Sequence, residues 1–234
     1  MKNQYFGDIN DYLKYGLLRC LANAGLRIGV CWMLTPDDSR PDGRKIQYLL
    51  KPDIWRRHDP ELFDALATAV RTRRRHVHQA ERLNILPNAM FFSDRVPEAF
   101  QSRKDWLSKA LTKIGSADLL FFDPDNGIEI RSKPVGRKGA DKYMMWKEIE
   151  IAWCQNRALL IFQHFPREHR VRYLARLKCE LNQRTPNGFI DTLITTNVVY
   201  LLAYREDHAT QIRSAFRLIR ERWRERVIQN NIMT

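Results

Sequence analysis

An α/β fold is predicted for this chain: a mostly parallel sheet with helices on both faces and an antiparallel hairpin at its C-terminal edge. Three observations predict it. Short apolar runs at 27–35, 118–122 and 159–162 end abruptly in polar loops, as strands buried on both faces do. Helical patterns lie between these runs, so strand and helix alternate along the chain. Two β-rich runs then follow with almost nothing between them, which leaves room for a turn but not for a crossover helix.

The elements follow in order. A helix is expected over 11–24, where Leu13, Leu17, Leu18 and Leu21 recur at helical spacing, with Asn10 or Asp11 as its cap and Gly25 to end it. The strand at 27–35 opens into a polar loop at 36–43, the expected form of a central parallel strand leading to a site. A helix at 61–70, a short strand at 89–93 and a helix at 106–114 come next. The apolar strand at 118–122 runs into Asp123, and the one at 159–162 runs into Gln163 and His164, with a helix at 143–153 between them. This succession is Rossmann-like. The runs 188–196 and 198–204 form the hairpin. A last helix over 208–229 places Ile212, Phe216, Ile219, Trp223 and Val227 on one stripe, and Arg213, Arg217, Arg220 and Arg224 on a ridge beside it.

No repeat, low-complexity tract or linker interrupts the 234 residues, so one domain spanning 1–234 is expected, with an N-terminal helical motif (5–24) and a basic C-terminal helix (208–229). Hydrophobic residues at 44% and charged residues at 29% argue against disorder or a disulfide-stapled mini-fold. No run of about 18 apolar residues suggests a membrane span, and Lys2, Asp8, Asp11 and Lys14 break up the opening segment, so a cytoplasmic protein is expected. Cys20, Cys31, Cys154 and Cys179 lack zinc or redox spacing and read as reduced, mostly buried thiols. The net charge of +13 favours polyanions through phosphate neutralisation and makes nucleic acid the leading partner class. Charge alone does not choose among nucleic acid, ribosome and anionic membrane.

Ligands of such sheets bind beyond the carboxyl ends of the strands. Acidic residues cluster at these ends: Asp37 and Asp38, Asp94, and Asp123 with Asp125. The turn Asp123-Pro124-Asp125-Asn126-Gly127 is the strongest signal, because proline fixes the backbone, glycine relieves the turn and the apolar strand holds the carboxylate at the edge of a dry cleft. Such a carboxylate can accept hydrogen bonds from a target amine and orient its lone pair. An ordinary Asx-type turn would have the same residues.

Gly7-Asp8-Ile9-Asn10-Asp11-Tyr12-Leu13-Lys14-Tyr15 resembles the N-terminal motif Gly-Asn-x-x-Asp-x-Leu-Lys-His of the large-subunit ribosomal RNA adenine-N6 methyltransferases. Leu119 to Pro124 and Ile161 to Pro166 stand where that family has its strand ending in Asp-Pro-Pro-Tyr and its strand ending in an aromatic and proline. The parallel sheet closed by an antiparallel pair is also the layout of S-adenosylmethionine-dependent methyltransferases. The resemblance implies S-adenosylmethionine as cofactor, with Lys14 near the methyl donor, Asp94 near its adenosine, and Asp123 and Pro124 on the target amine of a nucleic-acid base. Asp125 and Asn126 replace the second proline and the aromatic, and the loop after the first strand has only Gly43 in place of a glycine-rich approach.

Two other readings stand beside it. A metal-dependent nuclease would hold Mg²⁺ or Mn²⁺ with Asp123, Asp125 and Glu129, while His164 or Lys142 handles protons. A catalytically silent nucleic-acid-binding module on a methyltransferase scaffold would keep only the basic surface. That surface is expected at Arg131, Lys133, Arg137, Lys138 and Lys142, in a loop that could clamp a phosphate backbone. The ridge Arg213, Arg217, Arg220 and Arg224 serves either as a second phosphate track or as a solvated face. The arginines at 71–75 read as the wet side of a helix end.

Overall fold

The structure is a computed structural model that describes residues 1–38 and 43–230. Helix α1 (Ile9–Asn23) leads into strand β1 (Ile28–Cys31), and after it come short α2 (Pro52–Trp55), α3 (Pro60–Arg71), short α4 (Gln79–Arg82), β2 (Met90–Phe92), α5 (Phe100–Lys113) and β3 (Leu119–Phe122). The second half runs β4 (Gly127–Ile128), β5 (Tyr143–Met144), α6 (Trp146–Trp153), β6 (Ala158–His164), α7 (Arg170–Arg184), β7 (Phe189–Ile194), β8 (Val198–Tyr204), α8 (Ala209–Trp223) and β9 (Ile228–Asn230). The main sheet has the order β2-β1-β3-β6-β8-β7-β9, while β4 and β5 pair in parallel on their own.

In the main sheet β1, β2, β3, β6 and β7 run one way, and β8 and β9 run against them. The α/β, Rossmann-like expectation therefore holds. Alternation of side chains along the strands divides the core in two. Val30, Phe121, Leu160 and Tyr200 face α1, α3 and α8, whereas Cys31, Leu120, Ile161 and Leu201 face α5, α6 and α7. Both faces of the sheet are covered, which is why β3 and β8 are apolar without a break. Among the described residues no helix is long and apolar enough to cross a membrane.

Several expected elements differ in detail. Helix α1 starts two residues early because Asp8, not Asn10 or Asp11, caps it, its carboxylate accepting from the amides of Asn10 and Asp11. The first strand stops at Cys31, and Met33 takes a left-handed backbone (φ 45°) that turns the chain out of the sheet. Gln163 and His164 belong to β6, where they pair with Val199 and Val198. The hairpin β7–β8 forms as expected, but β8 lies inside the sheet and β7 further out, and the edge is β9. The last helix ends at Trp223, and Ile228–Asn230 becomes a strand beside β7. Helix α7 had no counterpart in the sequence reading. Only Cys20 and Cys31 are buried; Cys154 and Cys179 are exposed. Residues 39–42 of the polar loop lie outside the described residues.

Candidate functional site

The site is set by where two elements end. Strand β3 carries Asp123 just past its last paired residue, where its amide donates to the Cys31 carbonyl (3.1 Å) and its side chain is held beside the N-terminal half of α1. Helical spacing in α1 puts Asp11 and Lys14 on one face, one turn apart. The Lys14 ammonium donates to Asp11 Oδ1 and to Asp123 Oδ2, each at 2.6 Å, and lies 5.7 Å from the Trp32 ring centre and 5.4 Å from that of Phe162. All three ionic side chains are at most 2% exposed. Burial alone would depress the Lys14 pKa; the Asp11 and Asp123 carboxylates outweigh it and hold the group above its ordinary value, so it stays charged.

The turn after Asp123 is tied down on both sides. The Asn126 amide donates to the Lys142 carbonyl (2.9 Å), and the Ile128 amide donates to Gln163 Oε1 (2.7 Å). Gly127 has φ +115°, and a Cβ there would lie 2.3 Å from Gln163 Oε1, so both backbone shape and space demand glycine. Asp125 lies 3.7 Å from the Lys2 ammonium, and its Oδ1 has no hydrogen-bond partner among the described residues.

These groups line a cavity of about 440 Å³ at the carboxyl ends of β3 and β6. Met1, Asp8, Asp11, Lys14, Asp123 and Asp125 make its buried floor; Tyr5, Pro124, Asn126, Phe162 and His164 make its walls; Arg44 and Lys45 stand exposed at its rim. Arg75 braces that rim by donating to the Phe6 carbonyl (2.7 Å) and the Gly43 carbonyl. Burial, with the nearby Asp11 charge, pushes the Asp8 carboxyl up to about 7. Burial also depresses the His164 imidazole, against the pull of Asp123 and Asp125, so it is neutral at pH 7.

Of the residues singled out in the sequence, the cavity brings together Lys14, Asp123, Pro124, Asp125, Asn126 and His164. It does not include Asp94, which lies in a separate surface groove with Ser108 and Lys109 and whose carbonyl accepts from Trp106 Nε1 (3.1 Å). Asp37 and Asp38 are engaged with the N-terminal segment: Asp37 accepts from the Gln4 amide (3.2 Å), and Asp38 from the Lys2 ammonium (2.7 Å). Glu129 accepts from the Trp146 amide (2.6 Å) at the start of α6, so it caps that helix and does not join Asp123 and Asp125. Among the described residues no three His, Cys, Asp or Glu side chains are grouped to hold a metal.

The basic residues singled out in the sequence on the 131–142 loop and on α8 do not line the cavity. Arg131, Arg137 and Lys138 are exposed on the loop between β4 and β5, where Lys133 donates to the Lys138 carbonyl (2.9 Å) and Lys142 is half-buried. Arg213, Arg217 and Arg220 are exposed along α8, and Arg224 stands just past its end. The sequence reading missed Asp8, Asp11, Tyr5, Arg44, Lys45 and Phe162. Asp11 had a usable signal, an acid one helical turn ahead of Lys14. Arg44 and Lys45 had none beyond charge, because a loop has no periodicity. A scan against models of protein families, a search of curated proteins and a search of solved structures find nothing that matches this chain.

Proposed function

We propose that the chain binds nucleic acid and takes one unstacked nucleotide into the cavity, with phosphates on the cationic rim and an amine of the base on the carboxylate floor. One observation carries the reading: the order of charge from outside to inside. Arg44 and Lys45 at the mouth attract a polyanion. Inside, Asp8, Asp11, Asp123 and Asp125 share the lining with the Lys14 ammonium and the Met1 amino group, so carboxyl groups outnumber cations and a hydrogen-bond donor is favoured over phosphate. The exocyclic amines of adenine and cytosine are such donors, whereas uracil has no exocyclic amine. Tyr5 and Phe162 offer ring surfaces, and the volume lies within the ordinary range of small-ligand sites.

Methyl transfer to that amine, which the resemblance implies, requires S-adenosylmethionine as methyl source. A Rossmann-like sheet seats a nucleoside cofactor where the strand order reverses, here between the ends of β1 and β3. The residues present do not fit one. Met1 fills the crevice, its nitrogen donating to the Met33 carbonyl (3.1 Å) and the Asp123 carbonyl (3.0 Å), and Asp94 lies in a different groove. The proposed function is therefore binding, without a transfer step.

The test is fluorescence anisotropy of a labelled single-stranded oligonucleotide across a range of KCl concentrations. Charge reversal at Arg44 and Lys45 together is expected to weaken binding at least about tenfold and to reduce the salt slope by about 1 for each phosphate no longer neutralised. Unchanged affinity and slope in this double variant would remove the cavity mouth as the entry for nucleic acid.

A further inference from the structure

We infer that the crevice in which a Rossmann-like sheet seats a nucleoside cofactor is filled here by residues 1–5 of the same chain as a fixed internal occupant, and that the protein accepts no such cofactor there. The crevice is defined by topology. From β1 the sheet continues to β2, and from β3 it continues to β6, so the crossing connections diverge and leave a gap above the two strand ends. A cofactor in that gap needs three things: free backbone donors in the loop after β1, an acid for its ribose hydroxyls, and an open floor between the strand ends.

Each of these is taken by the N-terminal segment. Met1 bridges the two strand ends through the carbonyls of Met33 and Asp123, which closes the floor. The Thr35 amide, a backbone donor of the loop, donates to the Met1 carbonyl at 2.9 Å. The acids of that loop hold the segment as they would hold polar groups of a ligand: Asp38 accepts from Lys2, Asp37 accepts from the Gln4 amide, and the Asp38 amide donates to Gln4 Oε1 at 2.9 Å. On its other side Asn3 Oδ1 accepts from the Val77 amide at 3.2 Å. Every residue from Met1 to Gln4 is thus fastened by backbone or side chain, and Met1 and Lys2 are 3% and 2% exposed. A lid that opened to admit a ligand would have to break contacts with β1, β3 and the loop between 34 and 38 together. This inference does not depend on nucleic-acid binding.

The experiment uses the full chain. Amide hydrogen exchange is followed at Gln4, Val30 and Thr35, with and without millimolar S-adenosylmethionine, S-adenosylhomocysteine or ATP. The expected result is exchange at Thr35 as slow as at Val30 in β1, with no acceleration at Gln4 or Thr35 on addition of any of the three. Exchange at Gln4 and Thr35 as fast as in exposed loops, or faster when a nucleoside is added, would overturn the inference. The variant Lys2→Ala/Gln4→Ala loosens the side-chain fastenings. It is expected to melt at lower temperature and still to show no nucleoside-dependent exchange at Thr35, whereas acceleration at Thr35 by a nucleoside would make the segment a displaceable gate and also overturn the inference. Should that variant fail to fold, Gln4→Ala alone and the exchange data decide. Loss of oligonucleotide binding in the anisotropy assay would remove the proposed function and leave this inference untouched.

Discussion

Lys14 is where the cavity floor is decided, because it is the charge that allows Asp11 and Asp123 to be buried side by side. Removing one member of a buried ionic group leaves the others without compensation, and Lys14→Met is expected to lower stability by about 3–5 kcal/mol, read from the urea midpoint. A loss below about 1 kcal/mol would mean that the group behaves as an exposed pair. Asp8 gives a pH signature of the opposite kind. Its carboxyl titrates near 7 in the fold and near 3.8 unfolded, so the folded chain holds the proton more tightly. The associated stability is complete below about pH 4 and is lost as pH rises through 7. Asp8→Asn keeps a side-chain oxygen for the cap and is expected to raise Tm at pH 8 but not at pH 4; an equal change at both would contradict the burial account. Lys14 and Asp123 were legible in the sequence because one lies in a motif and the other ends an apolar run. Asp8 was not, since an acid ahead of a helix is explained by capping alone, and here it serves both as a cap and as part of the cavity floor.

At the scale of elements, α1 and α8 cross at Gly16, where a Cβ would sit 2.2 Å from the Trp223 ring. Alanine favours a helix over glycine by about 1 kcal/mol, yet overpacking a closed contact costs about 1–3 kcal/mol, so Gly16→Ala is expected to destabilise. A rise in Tm for this variant would show that the two helices can move apart. The strands at 118–122, 159–162 and 198–204 were legible because burial on both faces makes their sequences continuously apolar. Helix α7 was not: its buried positions are only Tyr173, Leu177 and Leu181, set among Arg170, Arg172, Arg176 and Arg184. The end of α8 misled for another reason. Val227 continues the four-residue spacing from Trp223 and is buried, but it reaches the core through a turn, and the unpaired edge of β7 then takes up residues 228–230 as a strand.

Across the whole molecule, the excess of basic residues suggested a polyanionic partner without saying where it would bind. Distribution supplies what composition lacked: cations at the rim and on neighbouring loops, carboxyl groups at the floor, and the first residues of the chain across the cofactor crevice. The mostly parallel sheet with its antiparallel hairpin was foreseeable from the alternation of elements, whereas the filled crevice was not, because a five-residue segment without periodicity gives no sign of where it docks. Nucleotide capture of the proposed kind requires the cavity to read a base and not only to attract phosphate. Competition between short oligo(A), oligo(C) and oligo(U) of equal length at one salt concentration tests this most directly. The expected result is that oligo(A) or oligo(C) binds at least about tenfold tighter than oligo(U), in line with about 1–3 kcal/mol for a well-placed base contact, with equal salt slopes for all three. Equal affinities for the three would contradict the account.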